Sequence, residues 1–443
     1  MKSKLFFYLL GLTNGFNMSA YKRFVNESQY WSPEQIEKYQ MEMLTPLLQH
    51  AFDHVPYYRR LFDSLNLKPI DIRKTSDLHI LPVIRKQDIM QNPHDFIPDN
   101  YKNFKHKKGH TGGTSGSPFP YYVDIKAWGM NWAVNMRTFD WAGYQYGKDR
   151  LAVMAGGSLV PTEGKGFKKR IMHYVNNYFT MQITHMDSTI MDEYYSEIKK
   201  QKIRFLRGYP SAIYSFAEYL SEKQKQLPLE AVITTAEMLY PHQRDLMKKV
   251  FACDVFDTYG CRDGMGMAVE CEKHNGMHIC PELSIMHIVD ESGQEVKAGD
   301  TGEVVLTSLY NYSMPFIRYA PGDMAIKSDK KCDCGRSFPM IDKIIGRSSD
   351  IIKLINGRVI NGLSIPFEEL TTEVEKIQIV QEASDRVEVL LVPRGELTQE
   401  HIESIEKMLS FHCGEEVKVK AKIVDSIEVP KSEKFRYVIS KVH

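Results

Sequence analysis

Between Ser32 and about Leu65 apolar residues return at helical intervals, as in Tyr39, Met43, Leu47 and Ala51, and Ser32-Pro33-Glu34 supplies a start signal. The spacing predicts helix. From about Leu151 the texture changes to short β-like runs such as Leu151-Ala152-Val153-Met154 and Ala231-Val232-Ile233-Thr234, separated by amphipathic stretches at Tyr194 to Lys200 and Ser211 to Leu220. Such alternation predicts a mostly parallel sheet. From Ile285 to about Ile326 the pattern turns antiparallel: Ile285-Met286-His287-Ile288-Val289, a turn at Asp290-Glu291-Ser292-Gly293, then Gly302 to Thr307. Beyond Gly346-Arg347, strand-like Val387 to Val392 and Val417 to Val424 flank a helix-like Gln399 to Phe411, the pattern of a compact α+β lid. The fold class is therefore α/β. A large N-terminal domain, residues 1–346, has a helical start, parallel strands and a β-rich subdomain, and a small C-terminal α+β domain covers residues 347–443.

Composition narrows the function classes. The chain has 443 residues, 43% hydrophobic and 26% charged, which excludes disorder and fibre. Lys and Arg total 57 against 56 Asp and Glu, so no global field recruits a nucleic acid, and a bound anion must be held by local geometry. Seven dispersed cysteines read as reduced thiols or metal ligands rather than a disulfide framework. The apolar run Leu5 to Leu12 lacks a small-residue cleavage site and reads as a docked helix. No run approaches the roughly 20 apolar residues of a membrane span, and a cytoplasmic location is expected.

Several segments carry candidate chemistry. Thr111-Gly112-Gly113-Thr114-Ser115-Gly116-Ser117-Pro118 packs glycines and hydroxyls together, which lets backbone N–H groups approach an oxyanion closely; without a lysine after Gly116 it is not a Walker A loop. Tyr259-Gly260-Cys261-Arg262-Asp263 follows the strand-like Val255 to Thr258, where ligands of open α/β sheets bind. There an aromatic can stack on a base, and Asp263 can hold a divalent cation; a buried tyrosine and an exposed turn carboxylate fit equally well. Asp323, in Tyr319-Ala320-Pro321-Gly322-Asp323, is a turn carboxylate of the kind that accepts both ribose hydroxyls. Cys332 and Cys334, with Cys271 and an imidazole from His274 or His278, make a Cys3His set that would close a tetrahedral structural zinc site. His274 fits the turn better, whereas His278 sits in the strand-like Met277-His278-Ile279.

In chain order these segments resemble the motifs of the adenylate-forming ligases, most closely the phenylacetate-CoA ligase and CapK-like branch. The resemblance runs from about Tyr39 to the C-terminus through five motifs in the family's order and spacing. It implies a mobile C-terminal lid and assigns Thr111, Gly112, Gly113, Thr114, Ser115 and Gly116 to the phosphates of ATP. Ala236, Glu237, Tyr259 and Gly260 match the adenine pocket, and Asp323 and Arg347 the ribose contacts. Lys434 matches the C-terminal lysine that meets the carboxylate and α-phosphate. Trp132, Tyr209 and Pro210 fall where the family lines its acyl pocket. Cys271, a nearby His, Cys332 and Cys334 resemble a zinc site of part of the branch.

The implied activity is an AMP-forming acid–thiol ligation: a small carboxylic acid attacks ATP with Mg²⁺ present, and the acyl group passes to coenzyme A. Transfer to an amine or hydroxyl in surface polysaccharide synthesis, or nucleotide binding without turnover, are the alternatives. The chain departs from the family at Asp263, where Glu is usual, at Ser349 for the hinge Asp, and at Glu433 for the glycine before the lysine.

Overall fold

The computed structural model describes residues 11–12, 15–110, 120–155, 177–183, 186–347, 352–354, 359–360, 374–414, 416–428 and 435–442. The helical start is α1 (Met18–Ser28), α2 (Pro33–His54) and α3 (Pro56–Ser64). Ser32 caps α2 as its sequence signals: its hydroxyl accepts from Gln35 N at 3.3 Å, and Gln35 Oε1 accepts from Ser32 N at 2.9 Å. Val55, held extended before Pro56, divides the helical stretch in two. Leu44, Leu48 and Ala51 of α2 then pack with Tyr58 and Phe62 of α3 in one core.

After β1 (Ile84–Arg85) and α4 (Lys86–Gln91), β2 (His106–His110) and β3 (Pro120–Asp124) pair antiparallel. Their last pair, His110 with Pro120, draws together the two ends of the segment that holds Thr111 to Gly116, which lies outside the described residues. Asp124 anchors this hairpin to the body: its carboxylate accepts from Tyr312 N and Ser313 N at 2.9 and 3.1 Å, and its own N–H donates to Asn311 at 2.9 Å.

The helix α5 (Ile125–Trp141) leads into the parallel part of the sheet, β4 (Leu151–Met154), β5 (Tyr178–Met181), β6 (Phe205–Gly208), β7 (Ala231–Thr235) and β8 (Asp254–Cys261). Its crossovers include α6 (Ser188–Lys200), α7 (Pro210–Glu222) and α8 (Pro241–Phe251). Every residue of β7 is buried, as expected where helices cover both faces. The antiparallel strands join the same sheet. A hairpin turns β8 into β9 (Gly266–Glu270), and pairing continues through β10 (Met277–Ile279), β11 (Ser284–Val289), β12 (Thr301–Ser308), β13 (Tyr319–Ala320), β14 (Asp323–Ser328) and β15 (Met340–Arg347). One mixed 13-stranded sheet results, ordered β1-β13-β12-β14-β15-β10-β9-β8-β7-β6-β4-β5, with β11 on β12. The sequence pattern shows the change of strand direction but not that the hydrogen-bond ladder crosses it.

The C-terminal unit pairs β16 (Ile352–Lys353) with β17 (Val359–Ile360), and orders β18 (Val374–Ala383), β19 (Arg386–Pro393), β20 (Lys418–Ile423) and β21 (Val438–Ser440) as β20-β19-β18-β21. The helix α9 (Gln399–Cys413), capped by Thr398, connects the parallel pair β19 and β20. Its Ile405, Leu409 and Cys413 share a core with Val387, Val389 and Leu391, and Tyr240 of the large domain joins the same core. Arg394 meets Glu218 of α7 across this contact at 2.8 Å. Among the described residues no helix is long and apolar enough to cross a membrane.

Candidate active site

Parallel strands deliver their C-terminal ends to one sheet edge, and loops leaving that edge are free to bind ligands because the ladder below holds them. At this edge β7 runs out at Thr235 and the backbone turns sharply at Ala236, which has φ 71°. A non-glycine residue held there is strained, a feature that clusters at binding sites. Below it Thr234 is fixed from two sides: its hydroxyl donates to Asp257 at 2.7 Å, and its carbonyl accepts from Thr258 Oγ1 at 2.6 Å. Glu237 accepts from Ser211 N at the start of α7, at 3.1 Å.

Asp257 stands under both the Ala236-Glu237 turn and the Tyr259-Gly260 segment, through Thr234 and Thr258. Burial, with the charge of Glu270 nearby, pushes its carboxyl up to about 7. Glu270 itself accepts Arg244 Nη2 at 2.8 Å, Arg244 Nη1 at 3.1 Å and Asp257 N at 2.9 Å.

On β8, Tyr259 donates its hydroxyl to Asp323 Oδ2 at 2.7 Å, and Arg347 Nε meets Asp323 Oδ1 at 2.9 Å. Asp323 and Arg347 are cross-strand partners of β14 and β15, so the sheet register itself brings the carboxylate and guanidinium together. The Asp323 charge holds Arg347 above its already high range. Gly260 is exposed beside Tyr259, and a Cβ added there would meet nothing within 4 Å. The chain thus leaves open space beside an aromatic, a carboxylate and a guanidinium, a combination able to hold a base and a hydroxylated sugar. Tyr259, Gly260, Asp323 and Arg347 converge; Ala236 and Glu237 lie on the neighbouring strand end.

Asp263 is placed differently from an exposed cation ligand. It is buried in the β8–β9 turn, where Oδ2 accepts from Tyr319 Oη at 2.7 Å and Oδ1 from Cys261 Sγ at 3.0 Å. Tyr319 lies on β13, so Asp263 ties the Tyr259-Gly260 strand to the strand leading to Asp323. Lys434 lies outside the described residues, but the chain just after it is anchored on the large domain. The ring of Tyr437 stands 4.7 Å from that of Tyr240, and its hydroxyl accepts from Gln243 at 3.1 Å. Burial, with the charge of Arg347 nearby, brings Arg436 down to about 10, so a second guanidinium stands close to the first. Nothing in the sequence singles out Tyr240, Gln243 or Tyr437 as partners.

Of the expected acyl-pocket residues, Trp132 is half-buried on α5, in edge contact with Trp128 and Tyr146 at 5.8 and 6.4 Å. Tyr209 and Pro210 are buried at the start of α7, and Tyr209 donates its backbone N–H to Met154 O at 3.1 Å. Tyr209 is wholly inside the main core. Its truncation would therefore remove core packing as well as any ligand contact.

A second constellation lies along β10 and β15. The ligand atoms of Cys271, His278, Cys332 and Cys334 all fall within 4.8 Å of one another. Cys271 Sγ is 3.6 Å from Cys332 Sγ, and Cys334 Sγ is 3.4 Å from His278 Nε2. Four ligands at tetrahedral zinc–thiolate distances stand about 3.8 Å apart, so donors and spacing fit that metal. The imidazole is His278, not the preferred His274. His278 is on β10, paired with Met340 of β15, and the Cys332-Cys334 turn lies five residues before β15, so the ladder carries the ring to the thiols. His274 instead turns Nδ1 to Glu270 at 3.2 Å and its ring to Phe256. Burial and the neighbouring Arg336 bring His278 down to about 4, which keeps its imidazole neutral and able to coordinate. All four positions would be filled by protein, the arrangement of a structural rather than a catalytic metal.

Comparison with known proteins agrees with this fold. The family model described as the CapK C-terminal domain matches residues 353–441. Protein CapK of Staphylococcus aureus is 25% identical over 396 residues, covering 87% of this chain and 85% of its own. A phenylacetate-coenzyme A ligase of Thermus thermophilus is 24% identical over 380 residues, covering 83% and 80%. Among solved structures, 2-hydroxyisobutyryl-CoA ligase in the postadenylation state superposes with a TM-score of 0.72 at 20% identity, covering 94% of this chain and 93% of that one. With the Tyr259, Asp323 and Arg347 cluster at the expected edge, the chain has the fold of the adenylate-forming ligases, and over most of its length it is similar to their CapK and phenylacetate-CoA ligase branch.

Proposed function

We propose that the protein activates a small carboxylic acid with ATP and passes the acyl group to coenzyme A. The observation that carries this reading is the convergence of Tyr259, Asp323 and Arg347 beside the open space at Gly260. In it the adenine lies against Tyr259 and the Ala236-Glu237 turn, and the ribose hydroxyls share Asp323 with its protein donors. The Thr111, Gly112, Gly113, Thr114, Ser115 and Gly116 segment, carried by the β2–β3 hairpin, receives the phosphates.

The substrate carboxylate oxygen forms a bond to the α-phosphorus, the bond from that phosphorus to the bridging oxygen of the β-phosphate breaks, and pyrophosphate leaves. Thiol sulfur then bonds to the acyl carbon as AMP departs with the bonding pair, and the thiol proton passes to solvent. The first step brings like charges together, so its barrier falls as positive charge is placed around them. Lys434 supplies such charge at the reacting atoms. Mg²⁺, when bound, supplies the same screening at the phosphates. For Asp263 to contribute a metal ligand it must use a lone pair left free beside the hydrogen bonds from Tyr319 and Cys261. Zinc held by Cys271, His278, Cys332 and Cys334 has a structural task.

A second reading, adenylation followed by transfer to an amine or hydroxyl acceptor in surface polysaccharide synthesis, draws on the CapK description matched by residues 353–441. The C-terminal domain faces the acceptor in this chemistry, so its kinship bears on acceptor choice. Pyrophosphate release against a panel of carboxylic acids, with and without coenzyme A, tests both. Acid-dependent release with thioester formation is expected; release with AMP but no thioester would favour the second reading, and no release with any acid would refute adenylation.

A further inference from the structure

Arg207 is a charged residue in a strand whose neighbours Phe205, Leu206 and Gly208 are buried. Its guanidinium lies over the ring of Phe139, 4.7 Å from the centroid, and its buried Nε has no hydrogen-bond partner among the described residues. No carboxylate pairs with it among the described residues. Asp149, whose charge acts on Tyr144, is engaged by Arg204 at 2.7 Å and by Gln145 N at 2.8 Å. Around Arg207 stand phenols instead. Tyr146 stacks on Phe139 at 5.3 Å, and Tyr144 stands 5.0 Å from Tyr146. Burial raises the hydroxyls of Tyr144, Tyr146 and Tyr178, which remain protonated donors. A largely buried cation ringed by neutral donors is costly unless an anion completes it, and such uncompensated groups collect where ligands bind.

Position connects this cluster with the proposed acyl pocket. Trp132 touches Tyr146 at 6.4 Å, and Tyr209-Pro210 follow Arg207 by two residues. In the ladder Arg207 is level with Ile233 of β7, three residues short of Ala236, so the cluster sits about 10 Å below the adenine turn at ordinary strand rise.

We propose that Arg207, with the hydroxyls of Tyr144, Tyr146 and Tyr178, binds a second acidic group on the substrate, remote from the carboxylate that is activated. The favoured substrate is then a dianionic aromatic acid rather than an unsubstituted arylacetate. The inference rests on the ligase reading above, and its test separates the two.

Pyrophosphate release is measured with phenylacetate, 4-hydroxyphenylacetate and 4-carboxyphenylacetate on the full chain, on Arg207→Met and on Arg207→Lys. Charge-assisted hydrogen bonds predict a kcat/KM at least about tenfold higher for the 4-carboxy acid in the wild type. Arg207→Met should abolish that preference while leaving phenylacetate within about threefold, and Arg207→Lys should retain part of it. A wild-type preference for phenylacetate or the 4-hydroxy acid, or an equal loss for all three acids in both variants, would overturn the proposal. Should no acid release pyrophosphate, the ligase reading falls, and thermal stabilisation by 4-carboxyphenylacetate decides the site alone. A shift in the wild type that exceeds the one in Arg207→Lys supports it, and equal shifts or none refute it.

Discussion

Replacing Asp257 by Asn tests the electrostatics beneath the proposed nucleotide site. Asp257 accepts from Thr234 Oγ1 and Thr258 N, and asparagine presents the same oxygen to both. The substitution removes charge while sparing geometry. The carboxyl is raised from its ordinary 3.8 to about 7 by burial and by Glu270, so the folded protein prefers it protonated while the unfolded chain ionises it near pH 4. Between those values the native state binds more protons, and its stability falls as pH rises. The favourable contribution is complete below about pH 4 and gone above about pH 7. At about 1.4 kcal/mol per pH unit the span corresponds to ~4 kcal/mol, an upper bound because Arg244 and Glu270 readjust. Asparagine cannot ionise, so Asp257→Asn should exceed the wild type only modestly near pH 5 and more near pH 8, its advantage growing by about 1 to 3 kcal/mol between the two. Urea unfolding at both pH values, with the metal content held constant, reads this directly. A variant less stable than the wild type by the same amount at both pH values would refute the argument, because the carboxylate would then be a net stabilising anion.

Three further outcomes are expected. Asp323→Asn leaves the fold intact but withdraws the charge that Tyr259 and Arg347 share, and should raise the KM for ATP by about 10- to 100-fold, measured by pyrophosphate release at saturating acid. Cys332→Ser combined with Cys334→Ser should abolish one tightly held zinc equivalent by elemental analysis and lower the melting temperature; a wild type without metal would exclude the site. Lys434→Ala should lower adenylation by orders of magnitude while equilibrium ATP binding changes little, because the lysine acts on the transition state; an unchanged rate would remove it from the mechanism.

The parts that sequence made legible are those governed by local rules. Ser32-Pro33-Glu34 marks its helix because capping needs only neighbours in the chain. Tyr259, Asp323 and Arg347 are recognisable singly by their motifs, and strand register supplies their meeting. His274 had the better local argument as a ligand and lost to His278, because the deciding contact is a ladder between β10 and β15, more than sixty residues apart. Asp263 reads as a free turn carboxylate until Tyr319, far along the chain, is seen to hold it. Arg207 carries a visible signal, a charge within an apolar strand, but a lone arginine does not reveal that no acid among the described residues answers it.

Gly260 carries a last consequence. It occupies an exposed strand position, where side chains generally serve a sheet better than hydrogen does, and a methyl group there would touch no other part of the protein. Folding alone gives evolution no reason to keep this position bare. Any requirement for glycine there comes from the visitor rather than the host, so tolerance to alanine at this position records what the molecule is used for and is silent on how it is built.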